Sequence, residues 1–437
     1  MSTVCIHSSR SPSNDGDSAP APTELGGVNR IARRLLLQKL HGLHGGTIQL
    51  SDPCGSTTLG RGGDLRTNLH VHNPAFFRHA VLGGSLSVAE SYLRGEWDSD
   101  DLTAFFRIFV RNLKTTDQLD RGLSRVAKLV NRLYHRWHAN SKVGSQRNIH
   151  AHYDLGNDFF RLMLDDTLAY SSGIFLTPTS SLREASIEKM DRICRKLDLR
   201  PSDHLLEIGT GWGGLAIHAA TQFGCRVTTT TISQQQFDVA RQRIAEAGLS
   251  DQVTLLLQDY RDLTGQFDKL VSVEMIEAVG HRYFDTYFRK CSELLKPDGT
   301  FVLQGIVMPD RRYAQYLRSV DFIQKYVFPG GCLPSMSAML ESTARVTDLR
   351  FVHAEDFGTH YAQTLREWRQ RFHAKLNEVR ELGYPNRFIR LWDYYLSYCE
   401  AAFDEHYTGV VQIQFDKPLC QRDTIVIGKR AAEWRLA

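Results

Sequence analysis

The 437-residue sequence lacks any apolar run that approaches the ~18 residues needed for a membrane-spanning helix. Its N-terminus also lacks the charged-then-apolar order of a secretory signal peptide. We therefore expect a cytoplasmic protein that reaches any lipid substrate from outside the bilayer.

Cysteine pairs and a strong excess of one charge are missing too. The eight cysteines include no Cys-x-x-Cys pair, which favours reduced thiols over a disulfide framework or a zinc site. His150 and His152 have no third ligand at a recognisable spacing, so we predict no metal. The net charge of +4 is too small to indicate nucleic-acid binding, although it allows a weak preference for anionic surfaces.

Composition divides the chain into four parts. Residues 1–27 are rich in Ser, Pro, Asp, Ala and Gly and predict a disordered tail. Residues 28–120 mix helical spacing with short polar strands and predict a small α+β domain, a candidate for lipid binding. Residues 121–147 predict a basic amphipathic helix, either bound to an anionic bilayer or a solvated linker. Residues 148–437 are the predicted catalytic domain.

The catalytic part alternates apolar strands with helices, the pattern of α/β proteins. Strands are predicted at 205–208, 226–232, 253–257, 269–273, 300–306 and 410–415. We expect a doubly wound, Rossmann-like parallel sheet, with a helical cover inserted at about 313–348. Ser181 and Glu184 predict a capping box at the start of an earlier helix.

A glycine turn follows the first of these strands. Gly209, Gly211, Gly213 and Gly214 let the backbone pass close to a bound nucleoside at the end of a parallel strand. The spacing differs from the Gly-x-Gly-x-x-Gly of dinucleotide-binding proteins, and the Lys of a P-loop is absent. It suits S-adenosylmethionine, which carries no phosphate.

Polar or aromatic residues also follow the next three strands. They are Thr231 to Gln236, Asp259 to Arg261, and Glu274 to Glu277. A dinucleotide enzyme would usually carry an acid at the end of the second strand, and only Thr and Gln stand there. Trp212 and Tyr260 either face a sulfonium through cation–π attraction or pack in the core.

Two further features concern acid–base chemistry and access to the site. Glu274 and Glu277 are three apart, so one is a candidate buried acid or base; a capping or salt-bridge role is the alternative. The polar and aromatic stretch 148–160 predicts a lid. Tyr170 and the small hydroxyl residues after it either line a methyl donor or form a turn.

Taken together, the motifs resemble the cyclopropane-fatty-acyl-phospholipid synthase family, to which the mycolic acid methyltransferases are related. The likeness runs from Asn148 to Phe415 and extends more loosely into the N-terminal domain. The motifs are His152-Tyr-Asp-Leu-Gly-Asn-Asp158, Tyr170-Ser171, Glu207-Ile-Gly-Thr-Gly-Trp-Gly-Gly214, Asp259-Tyr-Arg-Asp262, Glu277-Ala-Val-Gly280 and Pro329-Gly-Gly-Cys-Leu-Pro-Ser335.

This resemblance implies methyl transfer from S-adenosylmethionine to the cis double bond of a phospholipid acyl chain, with bicarbonate as the base that lets a cyclopropane ring close. Expected cofactor contacts are Tyr170, Ser171, Gly209, Gly211, Trp212, Thr231, Ile232, Gln236 and Tyr260. Expected residues of the bicarbonate and carbocation site are Glu277, Ile306, Tyr395, Ser172 and Gln304. The implied partner is unsaturated phospholipid at the inner face of the membrane, and a homodimer is left open.

Ser172 and Gln304 depart from the best-known bacterial pattern, which has Cys and His there. Both can still donate hydrogen bonds, so we expect bicarbonate binding to survive. A weaker base makes a methylene or methyl-branched product the alternative. Two further hypotheses are a methyltransferase acting on a soluble small molecule and a lipid-binding protein with an inactive methyltransferase domain.

Overall fold

The computed structural model describes residues 25–113, 144 and 156–421. Most of the predicted tail, all but Gly144 of the predicted basic helix, and both His150 and His152 lie outside these residues. Within the described residues, no helix is long and apolar enough to cross a membrane.

The N-terminal part is a four-stranded sheet with three helices, as the α+β prediction requires. The strands are β1 (His44–Asp52), β2 (Gly55–Leu59), β3 (Arg61–Val71) and β4 (Trp97–Ser99), in the order β2-β1-β3-β4. The helices are α1 (Gly27–Leu40), α2 (Ala75–Leu93) and α3 (Leu102–Arg111). Leu65, Thr67, Leu69 and Val71 alternate with exposed residues along β3, so one face of the sheet is buried.

The catalytic part is built on a seven-stranded sheet. Its strands are β5 (His204–Ile208), β6 (Arg226–Thr231), β7 (Val253–Leu257), β8 (Phe267–Val273), β9 (Leu295–Val307), β10 (Arg350–Asp356) and β11 (Gly409–Asp416), in the order β10-β11-β9-β8-β5-β6-β7. The five strands β5 to β9 pair in parallel, which confirms the α/β prediction.

The two strands at the β10 end of the sheet differ from the prediction. β11 pairs antiparallel with β9, and β10 pairs antiparallel with β11, so the sheet is mixed. β10 was not predicted, because it is an exposed edge strand carrying Arg350, His353, Glu355 and Asp356 and lacks an apolar run.

Eleven helices of the catalytic part are described. They are α4 (Asn157–Met163), α5 (Leu182–Lys196), α6 (Gly214–Phe223), α7 (Gln234–Glu246), α8 (Phe284–Glu293), α9 (Asp310–Tyr316), α10 (Phe322–Tyr326), α11 (Met336–Val346), α12 (Gly358–Ala374), α13 (Leu376–Glu381) and α14 (Asn386–Asp404). The predicted capping box is present, since Ser181 and Glu184 bond reciprocally at the start of α5. Helices α9 and α10 and the loop after them form the predicted helical cover, and α11 packs against α8.

Helix α14 connects the two parts of the molecule. Thr103 of α3 donates to Glu400 at 3.2 Å, and Arg107 and Arg111 both bond Glu405 just beyond α14. Tyr92 and Tyr394 pack at 5.4 Å between ring centroids. A continuous hydrophobic core therefore runs from the N-terminal sheet to the helices that cover the catalytic sheet.

Candidate active site

The glycine turn joins β5 to α6 at the carboxyl edge of the parallel strands. The amides of Gly209 and Thr210 both donate to the carbonyl of Thr230 at 3.0 Å, which ties the turn to β6. Gly209 and Gly211 have φ values of 101° and 53°, which favour glycine. A Cβ on Gly214 would lie 2.7 Å from the carbonyl oxygen of Thr167, so no larger residue fits at the start of α6.

A cavity of about 360 Å³ opens where the strands end, between the glycine turn and the helical cover. All nine predicted cofactor residues line it, and so do three of the predicted catalytic residues, Glu277, Ile306 and Tyr395. Ser172 and Gln304 are fully buried and are not among its lining residues.

The cofactor side of the cavity is held by short side-chain contacts. Thr231 donates to Gln236 at 2.9 Å, and Ser233 caps α7 immediately beside them. The indole of Trp212 donates to Asn157 at 2.7 Å and packs against Phe160. Trp212 therefore links the glycine turn to α4 as well as lining the cavity.

An aromatic wall faces the glycine turn. The hydroxyls of Tyr170 and Tyr395 lie 3.0 Å apart, and the Tyr170 ring packs against Trp368 and Phe160 with centroid distances of 5.1 Å. Burial raises the pKa of the Tyr395 phenol well above its ordinary value, so this hydroxyl stays protonated. Neutral rings of this kind present π faces to a cation without titrating.

Glu274 is a buried carboxylate that accepts hydrogen bonds from three separate elements. Its Oε1 accepts from the Ser172 amide at 3.0 Å and from Gln304 Nε2 at 2.7 Å, and its Oε2 accepts from the Tyr361 hydroxyl at 2.6 Å. Burial raises the pKa of Glu274, and the three donors oppose that rise. The Ser172 contribution comes through its backbone, since its hydroxyl donates to the Gly173 carbonyl.

Glu277 is the second buried carboxylate, and one of its oxygens has no partner. Its Oε1 accepts from the Ile306 amide at 2.5 Å, while Oε2 is buried without a hydrogen bond. Burial, followed by the nearby Glu274 charge, raises the pKa of Glu277 to about 8. Its carbonyl also accepts from the Cys332 amide at 2.8 Å, which ties the helical cover to this residue.

A chain of buried amides extends behind Glu274. Gln304 Oε1 accepts from Gln412 Nε2 at 3.0 Å, and Gln412 Oε1 accepts from Lys196 Nζ at 2.6 Å. Lys196 also bonds Glu355 at 2.6 Å. The ammonium group of Lys196 thereby orients both amides so that the NH₂ of Gln304 faces Glu274.

Lys189 is a buried lysine that lines the cavity on the cofactor side. Its Nζ donates to the Ser171 hydroxyl at 2.7 Å, and burial lowers the pKa of this lysine. The charges of Glu274, Asp165 and Glu207 oppose that fall. Sequence reasoning missed Lys189, because it lies among the apolar positions of α5, where helical spacing indicates core.

Three of the residues predicted to hold bicarbonate have side-chain or backbone partners within the protein. Ser172 and Gln304 were expected to face bicarbonate, but both donate to the carboxylate of Glu274. Tyr395 was expected there too, but its hydroxyl bonds Tyr170; the tyrosine on the carboxylate is Tyr361, which sequence reasoning did not single out. Tyr361 is a lone tyrosine on α12 at a core position, so only the fold connects it to Glu274.

The fold and the cofactor side place the chain in a known class of enzymes. The solved mycolic acid cyclopropane synthase CmaA1, complexed with SAH and CTAB, superposes with a TM-score of 0.58 at 30% identity, covering 62% of this chain and 98% of that one. The chain is an S-adenosylmethionine-dependent methyltransferase of the α/β class.

The particular family follows from sequence comparison. The family model for mycolic acid cyclopropane synthetase matches residues 140–413. A tuberculostearic acid methyltransferase of Mycobacterium tuberculosis is 38% identical over 82% of this chain and 84% of its own length. The cyclopropane-fatty-acyl-phospholipid synthase of Escherichia coli is 36% identical over 81% and 89%. The chain belongs to the family of mycolic acid cyclopropane synthetases and cyclopropane-fatty-acyl-phospholipid synthases, which confirms the predicted resemblance.

Proposed function

We propose that the protein transfers a methyl group from S-adenosylmethionine to a double-bond carbon of an unsaturated phospholipid acyl chain, with closure to a cyclopropane ring. The observation that carries this proposal is the unpartnered Oε2 of Glu277, buried in a cavity whose other walls are a glycine turn and aromatic rings. Such a site can hold a nucleoside on one side and an apolar chain on the other.

S-adenosylmethionine supplies an electrophilic methyl on a sulfonium. The glycine turn admits the nucleoside closely, and Thr231, Gln236 and Tyr260 border it. On the opposite side, apolar residues including Ile323, Phe328, Leu365 and Phe403 exclude water from the cation that forms on the acyl chain. The carboxylate of Glu274, which three donors hold at the cavity, stabilises that cation in a dry site.

Ring formation needs one proton to leave. A bond forms between one alkene carbon and the transferred methyl as the carbon–sulfur bond breaks, and the cation develops on the neighbouring carbon. A proton then leaves the new methyl group, and the electron pair of that carbon–hydrogen bond closes the ring. Glu277 Oε2 is the proton acceptor in this proposal, since it has no other partner.

A second candidate product is a methylene or methyl-branched chain. It is favoured by the fixed carboxylate of Glu274 and by the similarity to the tuberculostearic acid methyltransferase. After a hydride shift, loss of the methyl proton leaves a methylene group. A methyl-branched chain then needs a further two-electron reduction by a hydride donor.

The substrate reaches the site from a membrane in this proposal. Helix α1 exposes Val28, Ile31 and Leu35 along one stripe, and these residues are 70%, 64% and 43% exposed. Arg30 and Arg34 are exposed beside the stripe. An apolar stripe flanked by cations suits peripheral contact with anionic phospholipid at the cytoplasmic face.

The test is incubation with methyl-labelled S-adenosylmethionine and unsaturated phospholipid vesicles, followed by mass spectrometry of the released fatty acids. We expect label in the acyl chain, with one added carbon and no remaining double bond when a ring has formed. A product that keeps a double bond after gaining its carbon supports the second candidate. Label found only in a water-soluble acceptor would refute lipid methylation.

A further inference from the structure

Glu274 occupies the position of an anion ligand rather than that of an ordinary core residue. Its three donors come from the loop before α5, from β9 and from α12, and all three point to one carboxylate group. Ser172 and Gln304 are fully buried, and Tyr361 is nearly so. Buried donors require an acceptor, and here a side chain of the same protein supplies it.

We propose that the carboxylate of Glu274 fills the anion site that the family resemblance assigned to bicarbonate, so that methyl transfer in this protein needs no bicarbonate. The inference rests on the proposed function, which supplies the cation that the anion must face. A carboxylate and bicarbonate both present a planar pair of oxygens with one negative charge. Two of the three donors, Ser172 and Gln304, are residues that the resemblance assigned to bicarbonate, and Glu274 already uses both of them.

The charge of Glu274 also opposes a second anion at this place. Glu277 is close enough that the Glu274 charge contributes to the raised pKa of its carboxyl group. A bicarbonate ion added here would face two carboxylates in a buried region, without the donors that could offset the repulsion.

The backbone of Glu274 supports a functional reason for the side chain. Its φ is 48°, in the left-handed region that favours glycine. It follows β8 directly, at the edge of the sheet where the cavity opens. A strained conformation that is kept with a charged, buried side chain is typical of a functional position.

The proton balance is unchanged by this assignment. The proton that leaves the new methyl group goes to Glu277 Oε2, and the carboxylate becomes a carboxylic acid until it exchanges with solvent. The three donors favour the ionised form of Glu274, which in this proposal supplies the negative charge opposite the cation. No oxidant, reductant or additional anion is required.

The activity test compares wild type with Glu274→Gly in carbon-dioxide-free buffer, with and without added bicarbonate. We expect the wild-type rate to be the same in both buffers. Glu274→Gly frees the three donors and suits the left-handed backbone, so its rate should fall by about 10²-fold or more without bicarbonate. Added bicarbonate should raise the rate of Glu274→Gly by about tenfold. The rate should stay below that of wild type, because a free ion is not tethered to the protein.

The matched control is Asp198→Gly. Asp198 also has a left-handed φ, 50°, but its side chain is half exposed and bonds Arg200 outside the cavity. The control should keep the wild-type rate and show no bicarbonate response. Glu274→Gln, which fills the site without a charge, should lose activity and gain nothing from bicarbonate. This second variant also separates loss of charge from loss of folding, checked by circular dichroism.

Binding is measured separately, without lipid, by the ¹³C line width of labelled bicarbonate. We expect broadening with Glu274→Gly and none with wild type or Asp198→Gly. Bicarbonate-dependent wild-type turnover, or wild-type broadening, would overturn the inference. If no protein methylates lipid but the binding results hold, the proposed function fails and the filled anion site stands.

Discussion

Glu277 combines a fixed oxygen with an unpartnered one, and this asymmetry suits proton transfer. The Ile306 amide holds Oε1, so the carboxyl group cannot rotate freely, and Oε2 remains for the substrate. Burial and the Glu274 charge raise the pKa of Glu277 to about 8, near the pH at which a base works best in the cell. In the proposed reaction, burial and a neighbouring carboxylate, and not a neighbouring cation, thus adjust the pKa of Glu277 for its role as a base.

Glu277→Gln tests this assignment through the pH profile. The base acts only when deprotonated, so wild-type kcat should rise with pH and level off above about 8. Glu277→Gln should lose on the order of 10²-fold or more in kcat and show no such rise, whereas Glu277→Asp should keep the rise at a lower rate. An unchanged profile in Glu277→Gln would assign the titration to another group.

At the same scale, single residues show where prediction from sequence succeeds and fails. Gly209, Thr231, Tyr260 and Glu277 lie at or shortly after the ends of strands, so local pattern and the rules of parallel sheets place them at one edge. Tyr361 lies 87 residues beyond Glu274 along the chain, and nothing in its own neighbourhood marks it. Local sequence pattern cannot predict contacts that the tertiary fold creates between distant helices and strands.

At the scale of elements, a chain of hydrogen bonds across the sheet connects Glu355 on the edge strand to Glu274 at the site. Gln304 and Gln412 are direct partners on β9 and β11, and both side chains are fully buried. Lys196, in the last turn of α5, donates to Gln412 and is itself held by Glu355 of β10. Four elements thus fix one amide group against Glu274, and the unpredicted edge strand β10 belongs to this arrangement.

Lys196→Met tests whether the amide chain positions the site. Without the ammonium group, the amides of Gln412 and Gln304 can turn over and present oxygen to the Glu274 carboxylate. We expect kcat to fall by about tenfold with KM unchanged, because the lost alignment is worth roughly one hydrogen bond. Lys196→Arg should recover part of the loss, since it restores a donor.

The control for this prediction is Lys296→Met. Lys296 bonds Asp268 on the same sheet at 2.5 Å, but it is not part of the amide chain. Equal losses in kcat for the two lysine variants would indicate a general effect on stability. If Lys196→Met lowers the thermal stability but keeps the wild-type kcat, Lys196 has no positioning role.

At the scale of the whole molecule, the N-terminal part and the helices over the catalytic sheet share one hydrophobic core. Helix α14 carries Tyr395 on the cavity and Glu400 against α3, so the N-terminal helices support a wall of the site. Short polar strands beside segments of helical spacing made the small α+β part recognisable in outline. Its attachment to α14 depends on Thr103, Arg107 and Arg111, whose partners follow almost 300 residues later and leave no sequence signal.

The exposed stripe of α1 makes a prediction about the whole molecule on a membrane. Ile31 and Leu35 would enter the lipid interface, and burying each such side chain contributes about 1.5–3 kcal/mol. The double variant Ile31→Glu with Leu35→Glu should therefore bind anionic vesicles at least about tenfold more weakly in co-sedimentation. Its activity on detergent-dispersed unsaturated phospholipid should equal that of wild type, because α1 does not line the cavity.

The control is Leu419→Glu, at a residue that is 66% exposed and lies outside α1; this variant should bind vesicles like wild type. Equal vesicle binding by the α1 double variant and wild type would remove α1 as the membrane contact, while lost activity on dispersed lipid would show damage to the fold.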